Sequence, residues 1–195
     1  YNWPRGWRFA LALGALVTAA YPGVLGGVST FFFRDFGLFS YPVAVYQREC
    51  FWDGELPLWN PYSQAGVPFL AQWNVAALYP LSLIYLILPL PWSLSIFCLL
   101  HLAFGGLGMY LLTRKWTRLD GAAVIAGIAF AFNGMTLNTL MWHSNTAALG
   151  WAPWVIYLVA QAWTKGGWHV LWAALAAAMQ LLAGSPEIVI FTWVL

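Results

Sequence analysis

Residues 91–113 read PWSLSIFCLLHLAFGGLGMYLLT, a run that contains no Asp, Glu, Lys or Arg. The hydrocarbon core of a bilayer is about 30 Å thick, and roughly 20 apolar residues cross it as an α-helix. Comparable uncharged runs lie at 9–28, 121–142, 146–163 and 167–184, and another starts at 188. The pattern predicts an all-α, polytopic transmembrane helix bundle with about five complete spans and a partial sixth.

The composition of the chain is typical of a membrane protein. It is 62% hydrophobic and 7% charged, whereas soluble domains have roughly 25% charged residues. The net charge of +2 is small and dispersed, which argues against nucleic acid as a partner. Because the apolar run that begins at Ile188 continues to Leu195, we expect residues 1–195 to be the N-terminal part of a single, longer transmembrane domain.

The basic residues predict the orientation of the spans, because Lys and Arg collect on the cytoplasmic side of short loops. A cytoplasmic N-terminus places one set of basic residues on that side: Arg5, Arg8, Arg114, Lys115, Arg118 and Lys165. A cleaved signal peptide is the alternative for residues 9–28, but this run is longer than the ~7–15 apolar residues of such a signal.

Two features modify the predicted bundle. Pro22 is expected to kink the first span, because proline lacks a backbone N–H. Residues 76–88 are apolar but short, and runs of ~10–14 residues are more often re-entrant or interfacial than transmembrane. A crossing there would also move the basic residues after 113 to the opposite side. We therefore expect a non-crossing helix, or an extension that leads into the next span.

A polar loop at residues 29–74 interrupts the apolar sequence. It contains four of the six acidic residues of the chain: Asp35, Glu49, Asp53 and Glu55. Pro42 suits the first turn of a helix and Gly54 suits its end, which predicts a short helix at Val43–Trp52. The predicted topology places the whole loop on the extracytoplasmic side.

The predicted short helix has the pattern of a helix that lies on a membrane surface. Val43, Tyr46 and Cys50 share one face, whereas Gln47 and Glu49 lie off it. Residues 55–69, which follow, are rich in Pro, Gly and Asn, and this composition predicts a turn-rich loop without regular structure.

The loop sequence resembles the bacterial YfhO family of polytopic membrane proteins. The resemblance includes Asp35, residues 53–62 (DGELPLWNPY), residues 66–69 (GVPF) and Tyr79-Pro80. Three later segments are also similar: 127–134 (GIAFAFNG), 151–153 (WAP) and 182–187 (LAGSPE). The family often has Gly before the Asp, where this chain has Arg34, and commonly Gly-His-Pro-Gln where this chain has GSPE.

YfhO-type proteins are similar to GT-C glycosyltransferases, which use polyprenyl-phosphate-linked sugars on the outer membrane face, and are linked to sugar modification of envelope polymers such as teichoic acids. The resemblance implies such an enzyme in the bacterial plasma membrane. Its implied partners are a polyprenyl-phosphate-linked sugar, a cell-envelope polymer acceptor and membrane lipids. GT-C enzymes have an acidic residue just after the first span, and the matching residue here is Asp35.

The chemistry of sugar transfer requires a base for the acceptor proton and positive charge or donors for the departing phosphate. Asp35 is the predicted catalytic base, and an interfacial Asp neutralised by Arg34 is the alternative. Arg34 and Arg48 could bind the phosphate through paired N–H donors. Each is otherwise a solvated loop charge or an anchor for lipid headgroups.

The other predicted substrate-binding residues lie in the loop and at later outer positions: Glu55, Asn60, Tyr62, His143 and Glu187. The alternatives are a solvated turn charge for Glu55, a membrane-interface anchor for Tyr62, an interfacial hydrogen bond for His143 and a helix cap for Glu187. No spacing matches a dedicated metal motif. We therefore predict no required cofactor or metal, although carboxylates and His on one face could bind a divalent ion.

Two other classes of function are alternatives to the enzyme. A transporter or flippase of a lipid-linked substrate would place ionisable groups or broken helices near the bilayer midplane, and the predicted spans have no Asp, Glu, Lys or Arg. A non-catalytic assembly subunit is the third class. His101 lies in the middle of a predicted span, where we expect it to hydrogen-bond inside the bundle.

Overall fold

The structure, a computed structural model, describes residues 4–195 and is mostly helical. Its α-helices are α1 (Pro4–Ala20), α2 (Pro22–Leu25), α3 (Tyr41–Trp52), α4 (Ile84–Ile87), α5 (Trp92–Thr117), α6 (Asp120–Phe132), α7 (Gly134–Thr139), α8 (His143–Lys165), α9 (Trp168–Leu182) and α10 (Pro186–Val194). The shorter elements are a π-helix (Phe36–Ser40), two 3-10 helices (Trp73–Val75 and Pro80–Leu83) and strands β1 (Trp59–Asn60) and β2 (Val67–Pro68). Residues 1–3 and the side chain of Arg5, a predicted cytoplasmic charge, lie outside the described part.

Helix α5 is the centre of the bundle and packs against α1, α6 and α8, while α9 packs against α8. Glycine residues allow α6 and α8 to approach α5 closely. A Cβ atom at Gly127 of α6 would lie 2.8 Å from the Gly106 carbonyl oxygen of α5, and one at Gly150 of α8 would lie 2.8 Å from the His101 carbonyl oxygen. Backbone therefore meets backbone on two sides of α5, as is common between membrane helices.

Two helical stretches are long and apolar enough to cross a membrane, judged by length and composition alone. They are Trp92–Thr117 and Asp120–Thr139, which correspond to the predicted spans 91–113 and 121–142. The apolar helices Gly6–Ala20 and Trp168–Leu182 are shorter. The all-α class is confirmed, and the other spans stay predictions.

Two of the predicted spans are interrupted. Helix α1 ends at Ala20 and α2 begins at Pro22, so the expected break at this proline is confirmed. The stretch 121–142 is interrupted at Asn133, whose Oδ1 accepts a hydrogen bond from the backbone N of Thr136 at 3.0 Å. Asn satisfies a free N–H at a helix start in this way. Asn133 therefore begins α7, and no such start was predicted from the sequence.

The predicted short helix of the loop is confirmed as α3, which begins two residues earlier, at Tyr41. Gln47, which was predicted to lie off the apolar face of this helix, is buried and only 1% exposed. Its Nε2 donates hydrogen bonds to the Ala77 carbonyl oxygen at 3.3 Å and to Ser82 Oγ at 3.1 Å. The reason is that α3 packs against the segment around α4, which supplies polar partners for this face.

Residues 55–69 contain regular structure that was not predicted. Strands β1 and β2 pair antiparallel, with Trp59 opposite Pro68 and Asn60 opposite Val67. The Tyr46 hydroxyl of α3 donates a hydrogen bond to the Trp59 carbonyl oxygen at 2.6 Å. This bond attaches the hairpin to α3.

The segment 76–88 does not cross the bundle as a span. Its helical part, Pro80–Leu83 followed by Ile84–Ile87, is far shorter than the roughly 20 residues that a span needs. The side chains of Tyr79 and Tyr85 are buried in the core, at 0% and 1% exposure. The segment is therefore a packed part of the bundle and leads into α5.

His101 hydrogen-bonds inside the bundle, as expected. Its Nδ1 donates to the Phe97 carbonyl oxygen at 2.7 Å, so its Nε2 accepts from the Tyr79 hydroxyl, also at 2.7 Å. The Tyr79 oxygen in turn accepts a hydrogen bond from Trp151 Nε1 of α8 at 2.6 Å. This chain of bonds connects α5 and α8 through the segment that precedes α4.

We predict that Gly127→Ala destabilises the bundle, since its methyl group would meet the Gly106 carbonyl and the Phe9 ring. Overpacking of this kind costs about 1–3 kcal/mol. Thermal unfolding in detergent would measure the effect. Gly121→Ala is the control in the same helix, because no atom lies within 4 Å of its Cβ position, and it should be neutral or stabilising. Equal melting temperatures for both variants would contradict the prediction.

Candidate functional site

A cavity of about 470 Å³ lies where the polar loop meets two helix corners. The loop contributes Phe39, Ser40, Trp73 and Asn74, the start of α8 contributes Trp142, His143, Ser144 and Asn145, and the start of α10 contributes Gly184, Pro186 and Glu187. We call this space the loop-end cavity. It is formed by three parts of the chain that are far apart in sequence, so only the tertiary structure brings them together.

Asp35 lies directly behind one wall of the loop-end cavity. The carboxylate is half-buried, and its Oδ2 accepts a hydrogen bond from Trp142 Nε1. Trp142 lines the cavity, whereas Asp35 itself does not. The indole therefore orients the carboxylate at the edge of the cavity.

His143 forms the inner wall of the loop-end cavity and is 2% exposed. Its Nδ1 is 2.8 Å from Ser40 Oγ, which links the start of α8 to the π-helix of the loop. Burial lowers the pKa of His143 to about 4, against a smaller effect of the Val75 carbonyl, which favours the protonated form. The imidazole is consequently neutral at pH 7 and acts as a hydrogen-bonding group rather than a cation.

Glu187 supplies an exposed carboxylate to the same cavity from the first turn of α10. The Ser185 hydroxyl donates a hydrogen bond to its Oε2 at 3.2 Å. A carboxylate at this end of a helix is stabilised by the partial positive charge of the free backbone N–H groups.

The corner between α9 and α10 is held against the loop by close contacts. Gly184 has φ +86°, and a Cβ atom there would lie 2.1 Å from the Trp73 carbonyl oxygen, so only glycine fits. The Trp73 indole Nε1 donates a hydrogen bond to the Leu181 carbonyl oxygen at 2.7 Å. These two contacts hold the start of α10, with Glu187, beside the cavity that His143 also lines.

Asn60 and Tyr62 lie in a neighbouring cavity of about 500 Å³, between α3 and the hairpin. Phe39 lines both cavities, so the two spaces adjoin. Asn60 is buried, and its Oδ1 accepts a hydrogen bond from the backbone N of Tyr62 at 2.9 Å, which shapes the turn. The Tyr62 ring is 83% exposed and is available for contact.

Three further predicted residues do not line either cavity. Arg34 is exposed and has φ +51°, beside Asp35 in sequence. The Arg48 guanidinium of α3 lies over the Trp52 ring, 3.9 Å from its centroid, in a cation–π contact. Glu55 is exposed in the turn after α3. This position agrees with the alternative that Glu55 is a solvated turn charge.

Several residues of the site were not predicted from the sequence, namely Ser40, Asn74, Trp142 and Asn145. Trp142 is the sequence neighbour of His143, a predicted residue, so the sequence offered this one signal for it. Its hydrogen bond to Asp35 was not visible in the sequence, because the two residues are 107 positions apart.

Within residues 4–195, no group of three or more His, Cys, Asp and Glu side chains is arranged to hold a metal ion. The independence from metal stays a prediction. No protein-family model, curated protein or solved structure matches the chain.

We predict that acid destabilises the loop end of the structure through His143. Its pKa is about 4 when folded and near 6.5 when unfolded, so the unfolded chain binds more protons between these values. The free energy of unfolding should have its full value above about pH 6.5 and decrease as the pH falls toward 4. Melting temperatures from pH 7.5 to 4 would show this slope.

His143→Gln should reduce the slope of melting temperature against pH. His169→Gln, at the half-buried start of α9, is the control and should leave this slope unchanged. An unchanged slope in His143→Gln would contradict the assignment to His143.

Proposed function

We propose that this chain is part of a GT-C-type glycosyltransferase of the bacterial plasma membrane, which transfers a sugar from a polyprenyl-phosphate donor to a cell-envelope acceptor. The single observation that favours this function is that His143 and Glu187 line the loop-end cavity while Trp142, which lines it too, holds the Asp35 carboxylate by a hydrogen bond. Its volume of about 470 Å³ lies in the usual range of small-molecule sites, about 300–1,000 Å³. The resemblance of the loop to the YfhO family supports the same proposal.

The membrane arrangement is part of the proposal. Five complete spans and a partial sixth cross the bilayer in a GT-C-like bundle, with the N-terminus in the cytoplasm. The loop 29–74 and the loop-end cavity then face the outside. Lipid-linked donor and envelope acceptor would both reach this face, since the cavity lies at the end of the helices rather than midway along them.

In the proposed mechanism Asp35 takes the proton of an acceptor hydroxyl. The acceptor oxygen forms a bond with the anomeric carbon of the sugar, and the bond between that carbon and the phosphate oxygen breaks. The electron pair of this bond leaves with the lipid phosphate. Trp142 Nε1 holds the Asp35 carboxylate in position, so that little reorganisation is needed when the proton moves.

The binding of the substrate is assigned to the groups that surround this carboxylate. Glu187 would accept hydrogen bonds from sugar hydroxyls, and neutral His143 would provide a further hydrogen bond from the inner wall. Arg34, exposed and next to Asp35 in sequence, is the proposed partner of the phosphate. Asn60 and Tyr62 would contact the acceptor in the adjoining cavity, and Arg48 and Glu55 would act only at its outer edge.

The test of this function is transfer of radiolabelled sugar from polyprenyl-phosphate donors to envelope polymer, in membranes that contain the protein. Asp35→Asn should reduce the rate by about 10²–10⁴-fold, the usual effect of removing a general base. Asp53→Asn is the control, because Asp53 is an exposed loop carboxylate outside the cavity. Undiminished transfer in Asp35→Asn at equal expression would remove this residue from the mechanism.

A wild-type protein that transfers nothing from any donor tried would overturn the enzyme proposal as a whole. The transporter alternative would then be measured by translocation of a fluorescent lipid-linked sugar across vesicles.

We predict that Trp142→Phe reduces transfer by roughly ten- to a hundred-fold, since a hydrogen bond to a charged group contributes about 1.5–3 kcal/mol. The ring is retained and only the N–H donor is lost. The same radiolabel assay, with kcat and KM determined separately, should show the loss mainly in kcat. A change confined to KM would instead assign Trp142 to substrate binding.

A further inference from the structure

A second cavity, of about 740 Å³, lies at the opposite end of the bundle, between α1, α5 and α8. We call it the basic-end cavity. Its walls are mainly apolar and aromatic: Ala10, Leu107, Leu111, Trp154 and Tyr157. None of the residues assigned to the loop-end cavity contributes to it. The proposed sugar transfer does not use this space.

The mouth of the basic-end cavity is positively charged. Arg114, Lys115 and Arg118 all line it, and the described lining residues include no Asp or Glu. Arg114 Nε forms an ion pair with Asp120 Oδ1 at 2.8 Å, just outside the lining. Lys115 Nζ lies 5.4 Å from the centroid of the Tyr157 ring. The described lining therefore has three cations and no carboxylate, so the cavity would attract an anion.

The distance between the two cavities corresponds to the thickness of a membrane. Helix α8 begins at His143, in the loop-end cavity, and reaches the basic-end cavity at Tyr157 and Gln161. At 1.5 Å per residue these positions are about 21 Å and 27 Å further along the helix. A bilayer has a hydrocarbon core of about 30 Å. The basic-end cavity is therefore located at the level of the opposite headgroups.

Apolar walls below a cationic mouth are complementary to an amphiphile with an acyl chain and a phosphate headgroup. Basic pockets between helices on the cytoplasmic side are a known means of holding anionic headgroups. Free phosphate would use the charges but leave the apolar walls unoccupied. The combination of the two surfaces consequently favours a lipid over a small anion.

We propose that the basic-end cavity binds an anionic phospholipid of the inner leaflet. The acyl chain lies between α1, α5 and α8, and the phosphate lies at the mouth, near Lys115 and Arg118. The proposal requires these helices to span a membrane, but it does not depend on glycosyl transfer. A lipid bound here would stabilise the packing of α1 against α5 and α8.

The experiment uses the chain purified in an uncharged maltoside detergent. Dioctanoyl phosphatidylglycerol, dioctanoyl phosphatidylcholine and inorganic phosphate are titrated separately, with bound lipid counted by native mass spectrometry and the melting temperature followed in parallel. Phosphatidylglycerol should bind saturably and raise the melting temperature. Phosphatidylcholine should bind at least ten-fold more weakly, and inorganic phosphate should neither stabilise the protein nor displace the bound lipid.

Two variants locate the binding. Lys115→Gln combined with Arg118→Asn should weaken phosphatidylglycerol binding about 25-fold, at about five-fold for each charge near a headgroup. Asn is chosen because Arg118 has φ +60°, which Asn tolerates. Ala10→Phe should fill the apolar space between α1, α5 and α8 that the acyl chain occupies, and it leaves the charges in place. Arg8→Gln is the control, because Arg8 is an exposed cation on the same end of α1 and does not line the cavity.

Three results would overturn the proposal. The first is a phosphatidylglycerol affinity that is unchanged in both the charge variant and Ala10→Phe. The second is phosphatidylcholine binding as strong as that of phosphatidylglycerol. The third is full displacement of the lipid by inorganic phosphate. The last result would indicate a simple anion site. Because the apolar and charged halves are changed separately, a variant that fails to fold still leaves the other as a test.

Discussion

Contact between backbones along α5 is the constraint on which the rest of the structure depends. Gly106 faces Gly127 of α6, and Gly150 of α8 faces the His101 carbonyl, at distances that exclude any Cβ atom. Such close approach increases dispersion contacts and leaves little freedom in how the helices cross. The packing of α8 against α5 also determines the position of His143, at the start of α8. It determines the position of α9 as well, because α9 packs on α8. The loop-end cavity depends on these positions.

The polar loop completes the site by making specific bonds to that framework. Ser40 meets His143, Asp35 meets Trp142, and the Trp73 carbonyl lies against Gly184. Each contact joins the loop to the start of a later helix. The loop is thus a structural cover for one end of the bundle as well as the source of its central carboxylate. A substrate in the cavity would contact both the loop and the helix starts.

The two ends of the bundle differ in chemistry. One end has the half-buried carboxylate of Asp35, the neutral His143 and the exposed Glu187 around a polar space. The other has apolar walls beneath three cations. Helices α5 and α8 connect these ends with uncharged sequence, and hydrogen bonds join His101, Tyr79 and Trp151 between them. The two ends therefore offer different chemical environments.

The sequence by itself determined the helical character, the break at Pro22 and the short helix α3, because hydrophobic run length and proline chemistry are local properties. It also identified Asp35, His143 and Glu187 as candidates. Tertiary structure alone decided the inward position of Gln47, the role of Trp142 and the separation of Arg48 and Glu55 from the cavities. These features depend on which distant segments pack together, and local periodicity contains no information about a partner that is 30 residues away, as for Gln47, or 107 residues away, as for Trp142.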